Sequence, residues 1–384
     1  MREPIYLDYN ATTPLDPAVI EAMLPYLREH FGNPSSSHAY GKAAHDAVAR
    51  ARQQVADLLG ARPEEVVFTG GGSEANNQAL KGTVFARLRG VLGRLWPREG
   101  HVITSAIEHP ATLQPCEFLR RVGCRVTVLP VDRHGMVDPD GVRRAIDRRT
   151  VLISIMHSNN EVGTLQPVRA IAALARERGV LVHTDAAQSL GKVAVDVNEL
   201  GVDLLSLAGH KLYAPKGVGV LFVRQGVRLE PLIHGAGHEG GRRAGTESVP
   251  AIVALGAACE LARRSLPQAT ERLRQLRDRL ANRLQAALGE RVVLNGHPEQ
   301  RLPNTLNVNF VGHIGADLLQ AVPEVAASTG SACHEGNVCL SPVLQAMGVP
   351  PELGRGAVRL TVGRFTTEEE VDRAAEALVA RARK

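Results

Sequence analysis

The alternation of apolar and polar stretches between residues 62 and 224 predicts a layered α/β structure. Short runs rich in β-branched residues predict seven strands, at 66–69, 102–104, 125–129, 151–155, 180–182, 202–206 and 218–223. Helical segments separate several of these runs, at 111–121, 139–147 and 167–178. Strands that alternate with helices are typical of a mainly parallel sheet covered by helices. We therefore expect catalytic groups at the carboxyl ends of the strands.

The hydrophobic pattern changes after about residue 250 and predicts a second, smaller α+β unit. Two long helices, 250–264 and 268–288, are expected on either side of a loop at Ser265–Pro267. Short strands follow at 292–294, 305–310, 325–327 and 357–361. Thr367 and Glu370 have the spacing of a capping box, which predicts where a last helix begins. We expect a large domain over residues 15–255 and a small domain made of residues 1–14 and 256–384.

Composition and charge narrow the class of protein. The chain has 384 residues, of which 44% are hydrophobic and 22% charged, as is ordinary for globular proteins. The net charge of +5 arises from interspersed basic and acidic residues, which argues against a nucleic-acid surface. No apolar run has the length of a membrane-spanning helix, and the N-terminus lacks the apolar segment of a signal peptide. We expect a cytoplasmic protein that binds neither membranes nor nucleic acid.

The cysteines offer a candidate nucleophile. There are five of them, Cys116, Cys124, Cys259, Cys333 and Cys339. An odd number in such a chain argues against a disulfide framework, and no spacing indicates a metal site. Cys333 lies among small and polar residues beside His334, which predicts an exposed loop and a reactive thiol. Cys333 and Cys339 could instead form a disulfide. We favour Cys333 as the single nucleophile and leave Cys339 unassigned.

A lysine and an aspartate follow two neighbouring predicted strands. The chain has six lysines, and Lys211 follows the strand at 202–206 within the segment GHKLYAPKG. Asp185 follows the strand at 180–182. Pyridoxal phosphate requires such a pair, because the lysine binds its aldehyde and the carboxylate keeps the pyridine nitrogen protonated. The alternative is an ordinary surface lysine beside a turn.

Further motifs suit the same cofactor. In TGGGSEANN, residues 69–77, three glycines between a strand and a helix can turn several N–H groups toward a phosphate, and Ser73 adds a hydroxyl. No lysine follows at the position of a Walker A motif. His109 follows the strand at 102–104, where a histidine can stack on a heteroaromatic ring and exchange protons. The segment 158–163 could offer amides to a ring hydroxyl. The alternatives are turns without a ligand and a structural histidine.

Two other features concern ligand binding. Residues 235–240 match the dinucleotide motif G-x-G-x-x-G, but the acidic Glu260 downstream falls inside a predicted helix, so we expect no dinucleotide site. Arg359 lies on the predicted strand at 357–361, where its guanidinium could hold a substrate carboxylate with two hydrogen bonds. Arg364 is close enough in sequence to take that role instead.

Together these motifs resemble the cysteine desulfurases of the NifS and IscS type, which belong to the class V aminotransferase family of fold-type I enzymes dependent on pyridoxal phosphate. The resemblance runs essentially end to end. It rests on YLDYNATTP at 6–14, FGNPSSSH at 31–38, GHKLYAPKG at 209–217, RAGT at 243–246, GSAC at 330–333 and GRFT at 363–366. It implies a large domain with a mainly parallel seven-stranded sheet and a smaller α+β domain that carries the catalytic cysteine loop.

The resemblance also implies a role for each site residue. The catalytic residues would be Lys211, Asp185, His109 and Cys333, the last of which would carry sulfur as a persulfide. The cofactor phosphate would bind Gly72, Ser73 and His210, with Thr246 contributed by the other subunit of a homodimer. The ring hydroxyl and its surroundings would contact Gln188 and Asn160. The substrate would contact Arg359 and Asn160. Ala208 departs from the family pattern, in which a phosphate-binding serine is frequent.

The activity that the resemblance implies is the conversion of L-cysteine to L-alanine. The sulfur would pass from Cys333 to an acceptor or an iron–sulfur scaffold protein. Three alternatives remain open: a selenocysteine lyase, which residues 334–344 resemble, a class V aminotransferase that does not use Cys333, and a scaffold without catalytic activity.

Overall fold

A computed structural model gives the fold, and it describes residues 3–89, 100–329 and 340–384 of the chain. The strands are β1 (Ile5–Tyr6), β2 (Val66–Thr69), β3 (His101–Ser105), β4 (Arg125–Leu129), β5 (Thr150–Ser154), β6 (Leu181–Asp185), β7 (Leu204–Ala208), β8 (Gly219–Val223), β9 (Val292–Asn295), β10 (Thr305–Phe310), β11 (Val325–Ala326) and β12 (Ala357–Thr361). The helices are α1 (Pro17–Arg28), α2 (Ala39–Leu59), α3 (Gly72–Asn77), α4 (Thr83–Arg89), α5 (Pro110–Arg121), α6 (Pro139–Ala145), α7 (Val168–Glu177), α8 (Val197–Leu200), α9 (Val249–Leu288), α10 (Gly315–Gln320), α11 (Pro342–Ala346), α12 (Pro351–Gly354) and α13 (Glu368–Ala382). A π-helical segment, Gln78–Gly82, joins α3 to α4.

The central sheet has seven strands in the order β2-β8-β7-β6-β5-β3-β4. Five of them, from β7 to β4, run parallel, whereas β8 is antiparallel to both β2 and β7. Successive residues of each strand face opposite layers: Phe222 belongs to the core that contains residues of α2, α7 and the start of α9, and Leu221 to the core that contains residues of α3 and α5. Helices thus cover both faces, as the apolar runs require. The predicted mainly parallel sheet is confirmed.

A second core lies beside this sheet. The strands β12, β10 and β9 form an antiparallel three-stranded sheet, and β1 pairs in parallel with β11. Leu7, from the N-terminal segment, packs here with Leu280 of α9, Phe310 of β10 and Leu378 of α13. The predicted α+β unit is therefore present. The exact division into residues 15–255 on the one hand and 1–14 with 256–384 on the other stays a prediction.

Helix α9 corrects one expectation, because the loop predicted at Ser265–Pro267 is wrong. The helix runs through Pro267 for 40 residues, and Ser265 Oγ donates to the Leu261 carbonyl at 2.8 Å. A proline inside a helix costs roughly 3 kcal/mol. The leucines of α9 that are buried in both cores offset this, at roughly 1.5–3 kcal/mol each. Within the described ranges no helix, α9 included, has both the length and the apolar character to cross a bilayer.

The predicted start of the last helix is confirmed. Thr367 is the N-cap of α13, its side chain accepts from the Glu370 amide, and the Glu370 carboxylate accepts from the Thr367 amide. These two bonds satisfy N–H groups that the first turn of a helix would otherwise leave unpaired.

Candidate active site

A cavity of about 420 Å³ lies at the carboxyl ends of the parallel strands. Its lining comes from the ends of the central strands and the segments that follow them, from the N-terminal segment and from β12: Asn10, Ala11, Gly72, Ser73, Asn76, His109, Ala111, Met156, Ser158, Asn160, Asp185, Ala187, Gln188, Ala208, His210, Lys211 and Arg359. Of the predicted site residues that the structure describes, only Thr246 does not line it. Cys333 lies outside the described residues. A cavity of this volume is typical of small-molecule sites.

Lys211 lies in a short turn, Gly209–Lys211, directly after β7. Its Nζ donates to the carbonyl oxygens of Asn10 and Ala11 at 2.5 and 2.6 Å. Burial, and then the nearby positive charge of Arg359, lower the pKa of Lys211 to about 8. An amine with this pKa is partly neutral near physiological pH, so it can act as a nucleophile or as a base.

Tyr213 holds the turn that carries Lys211. Its backbone has φ of 63°, an uncommon left-handed conformation for a residue with a large side chain. The Tyr213 amide donates to Thr13 Oγ1 at 2.9 Å, and its hydroxyl accepts from the Arg364 amide at 2.6 Å. The N-terminal segment and the turn after β12 therefore hold the lysine turn from both sides.

Asp185 ends β6 and reaches the cavity beside a buried amide. Its Oδ2 accepts from Asn76 Nδ2 at 2.7 Å, and its Oδ1 accepts from the Ala187 amide at 3.0 Å. Asn76 is only 1% exposed, and its Oδ1 has no hydrogen-bond partner among the described residues. The sequence reasoning missed Asn76. Its position four residues after Gly72, one helical turn along α3, was the available signal.

His109 is the N-cap of α5, and its Nδ1 accepts from the Ala111 amide at 3.1 Å. The neutral ring therefore carries its proton on Nε2. Burial lowers the pKa of His109; Asp185 opposes this shift, and Lys211 adds to it. The ring is thus mainly neutral at physiological pH, and the nitrogen that can exchange a proton is Nε2.

The glycine-rich turn between β2 and α3 has a backbone that only glycine adopts readily. Gly71 has φ of 146° and ψ of 177°. A Cβ on Gly72 would lie 3.1 Å from Ala208 Cβ, so these two small residues allow a close approach between the turn and β7. His210 Nδ1 lies 3.1 Å from Thr12 Oγ1, and burial is the main reason that the pKa of His210 falls to about 4. His210 can therefore face an anion as a neutral hydrogen-bond donor.

These features fit pyridoxal phosphate. The cavity joins a primary amine with a lowered pKa, a carboxylate held by an amide, a neutral imidazole and a turn of glycine and serine. An aldehyde, a pyridine nitrogen and a phosphate are the groups that these residues complement. The side chain of Ala208 lines the cavity without a hydroxyl, so the cradle has one donor fewer than a serine would supply.

Arg359 extends from β12 into the cavity. Its Nη1 donates to the Asn160 carbonyl at 3.1 Å, and its Nη2 forms an ion pair with Asp8 Oδ1 at 2.8 Å. Its Nε is buried and has no hydrogen-bond partner among the described residues. An unpaired buried donor is costly unless a ligand satisfies it, so this guanidinium is suited to a substrate carboxylate.

Arg364, the alternative carboxylate ligand, does not line this cavity. It forms an ion pair with Asp16, and its guanidinium lies 4.6 Å from the centre of the Tyr213 ring. These contacts give Arg364 a structural role. Sequence reasoning also gave no role to Asp8, whose carboxylate accepts from Arg359 and from Ser328 Oγ.

The remaining predicted residues lie elsewhere. Thr246 is exposed in this single chain. Cys339, like Cys333, lies outside the described residues. The other cysteines, Cys116, Cys124 and Cys259, are buried without disulfides. Burial raises the pKa of Cys116 to about 12 and also raises that of the other two, so none of the three is a reactive thiolate at neutral pH.

Comparison with known proteins agrees with this arrangement. The family model described as aminotransferase class-V matches residues 5–374. The chain is 46% identical to cysteine desulfurase IscS of Dictyoglomus turgidum over 374 residues, 97% of this chain and 93% of the relative. A solved NifS-like protein has a TM-score of 0.90 at 37% identity, covering 98% of both chains. A solved structure of SspA in complex with cysteine has a TM-score of 0.81 at 37% identity, covering 94% of this chain and 99% of that one.

Proposed function

Because this chain belongs to the aminotransferase class-V family, among the cysteine desulfurases of the NifS and IscS type, we propose that it converts L-cysteine to L-alanine and transfers the sulfur to Cys333. One observation of the structure carries this proposal. Lys211 and Asp185, from the ends of two neighbouring strands, line one cavity with His109 and Arg359.

The residues of the cavity would hold pyridoxal phosphate in a defined way. When bound, this cofactor supplies an aldehyde for primary amines and a ring that accepts electrons from the substrate Cα. Lys211 would bind it covalently, and Asp185 would keep its ring nitrogen protonated. Gly72, Ser73 and His210 would face its phosphate. Gln188 and Asn160 would contact its ring hydroxyl, and His109 would stack on its ring.

Proton transfer at the substrate belongs to Lys211. With cofactor and substrate bound, the neutral Lys211 amine would be the group that removes the Cα proton. The lowered pKa of about 8 supports this role, because a fully protonated lysine could not act as a base. His109 Nε2 is the second nitrogen in the cavity that can exchange a proton.

The substrate is bound through its carboxylate, and its sulfur is transferred to a thiol. Arg359 offers the unpaired Nε–H to the carboxylate of cysteine. The Cys333 thiolate attacks the substrate sulfur, so that an S–S bond forms at Cys333 while the Cβ–S bond of cysteine breaks. The carbon fragment takes up the proton and leaves as alanine. The sum is one cysteine and one thiol converted to one alanine and one persulfide.

Several parts of the proposal concern what surrounds the site. Three expectations stay predictions: a homodimer in which Thr246 reaches the partner's cofactor, a sulfur acceptor or iron–sulfur scaffold protein, and a cytoplasmic location. The family membership and the exposure of Thr246 support the first of these.

The test measures alanine formation from L-cysteine by the purified protein loaded with pyridoxal phosphate, without added keto acid. We expect alanine and one added sulfur atom on the protein by mass spectrometry. Lys211→Ala should abolish alanine formation, and Cys333→Ala should abolish the sulfur adduct. Cys124→Ala, which removes a buried thiol outside the cavity, is the matched control.

Three results would contradict the proposal. A requirement for a keto acid would indicate an aminotransferase. Turnover of L-selenocysteine but not of L-cysteine would indicate a selenocysteine lyase. Undiminished sulfide release by Cys333→Ala would remove the persulfide role of that residue.

A further inference from the structure

Lys192 is a buried lysine directly behind the candidate active site. It is 6% exposed, and it does not line the main cavity. Its Nζ donates to Gln188 Oε1 at 3.0 Å and to Asn10 Oδ1 at 3.2 Å. We propose that Lys192 is a positioning residue, which fixes the side-chain amides of Gln188 and Asn10 in the orientation that the cofactor site requires. This inference rests on the proposed function, because it concerns the site for pyridoxal phosphate.

The amide of Gln188 can be turned in either of two ways. The oxygen and the NH₂ group of Gln188 are nearly equal in size, so packing alone does not decide which of them faces the cavity. The backbone carbonyl of Asn10 can only accept, so it faces the Gln188 NH₂ group, and the Lys192 amine donates to the amide oxygen on the other side. Lys192 therefore holds the Gln188 oxygen on its own side, and Gln188 Nε2 donates to the Asn10 carbonyl at 2.9 Å. The second N–H of this NH₂ group is left for the ring hydroxyl oxygen of the cofactor.

The same amine orients Asn10. Asn10 Oδ1 accepts from Lys192 and from Asn304 Nδ2, the latter at 3.0 Å. Asn10 Nδ2 then faces Thr305 Oγ1 at 2.9 Å and the Asn160 carbonyl at 3.2 Å. The backbone carbonyl of Asn10 accepts from Lys211. Lys192 and the Lys211 amine are thus connected through Asn10 alone.

The surroundings of Lys192 argue against a role in simple packing. Burial, and then the positive charges of Lys211 and Arg359, lower the pKa of Lys192 well below its usual value. A neutral amine still has two N–H donors, which match its two side-chain contacts. A methionine of similar length would fill the space without the desolvation cost of an amine. The directed hydrogen bonds are what the lysine adds.

The test uses a double-mutant cycle of Lys192→Met and Gln188→Ala. The readouts are the Kd of the apoprotein for pyridoxal phosphate, by equilibrium dialysis, and the absorption maximum of the bound cofactor. We expect Lys192→Met to weaken binding about five- to tenfold, as for one lost hydrogen bond, and to shift the absorption maximum. Gln188→Ala should do the same, and the double variant should lose little more, because Lys192 acts through Gln188.

Rescue and control variants separate positioning from general stability. Lys192→Arg keeps side-chain N–H donors, and a neighbouring cavity of about 320 Å³ gives it room, so binding and the absorption maximum should return toward those of the wild type. Lys81→Met removes a lysine whose Nζ lies 4.4 Å from the centre of the Phe118 ring, and it should change neither readout. Thermal unfolding of every variant reports on folding.

The outcomes are distinct. Unchanged binding and absorption in Lys192→Met, or losses that simply add to those of Gln188→Ala, overturn the inference. If Lys192→Met does not fold, Lys192→Leu, which also removes the donor, takes its place in the cycle, with the same expected non-additivity. A wild-type protein that does not bind pyridoxal phosphate refutes the proposed function, and the inference with it. Tight binding by the wild type and by Lys192→Met overturns the inference alone.

Discussion

Two arginines near the end of the chain allow a sharp test of how the substrate is held. Arg359 reaches the cavity with an unpaired buried Nε, whereas Arg364 pairs with Asp16 and covers Tyr213. The structure therefore predicts that only Arg359 binds the carboxylate of cysteine. Arg359→Gln, Arg359→Lys and Arg364→Gln separate the two roles.

The expected magnitudes follow from the bonds that each variant loses. A hydrogen bond to a charged group contributes roughly 1.5–3 kcal/mol, so losing the contact from the free Nε–H lowers kcat/KM for L-cysteine by roughly 10- to 150-fold in Arg359→Gln. Arg359→Lys keeps the charge beside Asp8 but loses the fork geometry, so we expect a loss of roughly tenfold. Arg364→Gln loses an ion pair and a cation–π contact, so stability falls by about 1–2 kcal/mol.

The assay is the initial rate of alanine formation over a range of L-cysteine concentrations, with urea unfolding of each variant measured in parallel. We expect KM to rise in both Arg359 variants and to stay within about twofold of the wild type in Arg364→Gln. A similar rise of KM in Arg364→Gln, or an unchanged KM in Arg359→Gln, would refute the assignment.

Three further predictions concern the cofactor turn and two buried titratable groups. Lys211 must be neutral to react with an aldehyde, so the rate at which apoprotein gains the visible absorption of pyridoxal phosphate should rise with pH around a midpoint near 8; a midpoint above 10 would contradict the lowered pKa. Gly71→Ala should lower the free energy of unfolding by about 1–3 kcal/mol and weaken cofactor binding, because φ of 146° strains any residue other than glycine. The added Cβ would meet no atom within 4 Å, so the loss reports backbone strain and not a steric clash, and an unchanged melting temperature would argue against this strain. Burial raises the pKa of the Glu108 carboxyl from 4.5 to about 8, so between these pH values the folded state keeps a proton that the unfolded chain releases, and the free energy of unfolding falls as pH rises. In urea unfolding from pH 5 to pH 8, Glu108→Gln should show a flatter dependence of this free energy on pH than the wild type, and an equal slope would contradict the raised pKa.

The periodicity of the chain was sufficient to predict the layered sheet and the position of most elements. Strand runs such as 125–129 and 305–310 agree with β4 and β10 to the residue, because apolar residues alternate along each run, as the two faces of a strand require. The pattern could not predict that α9 continues through Pro267. Local propensity disfavours a proline there, and the packing of both cores along one helix outweighs it.

The candidate site also contains residues that the sequence predicted and residues that only the folded structure identified. Lys211, Asp185, His109 and the glycine turn could be read from the chain, because each follows a strand end and carries a recognisable chemistry within a short motif. Asn76 could not be read in the same way: nothing near it in sequence shows that its amide meets Asp185, 109 residues away.

Asp8, Asn10 and Lys192 have their roles through partners even more distant in sequence. Asp8 meets Arg359 across 351 residues, and Asn10 meets Lys192 across 182. Local patterns carry the periods of helices and strands and the chemistry of short motifs. Which buried donor meets which acceptor depends on how the N-terminal segment, the central sheet and β12 pack together, and that is a property of the folded chain.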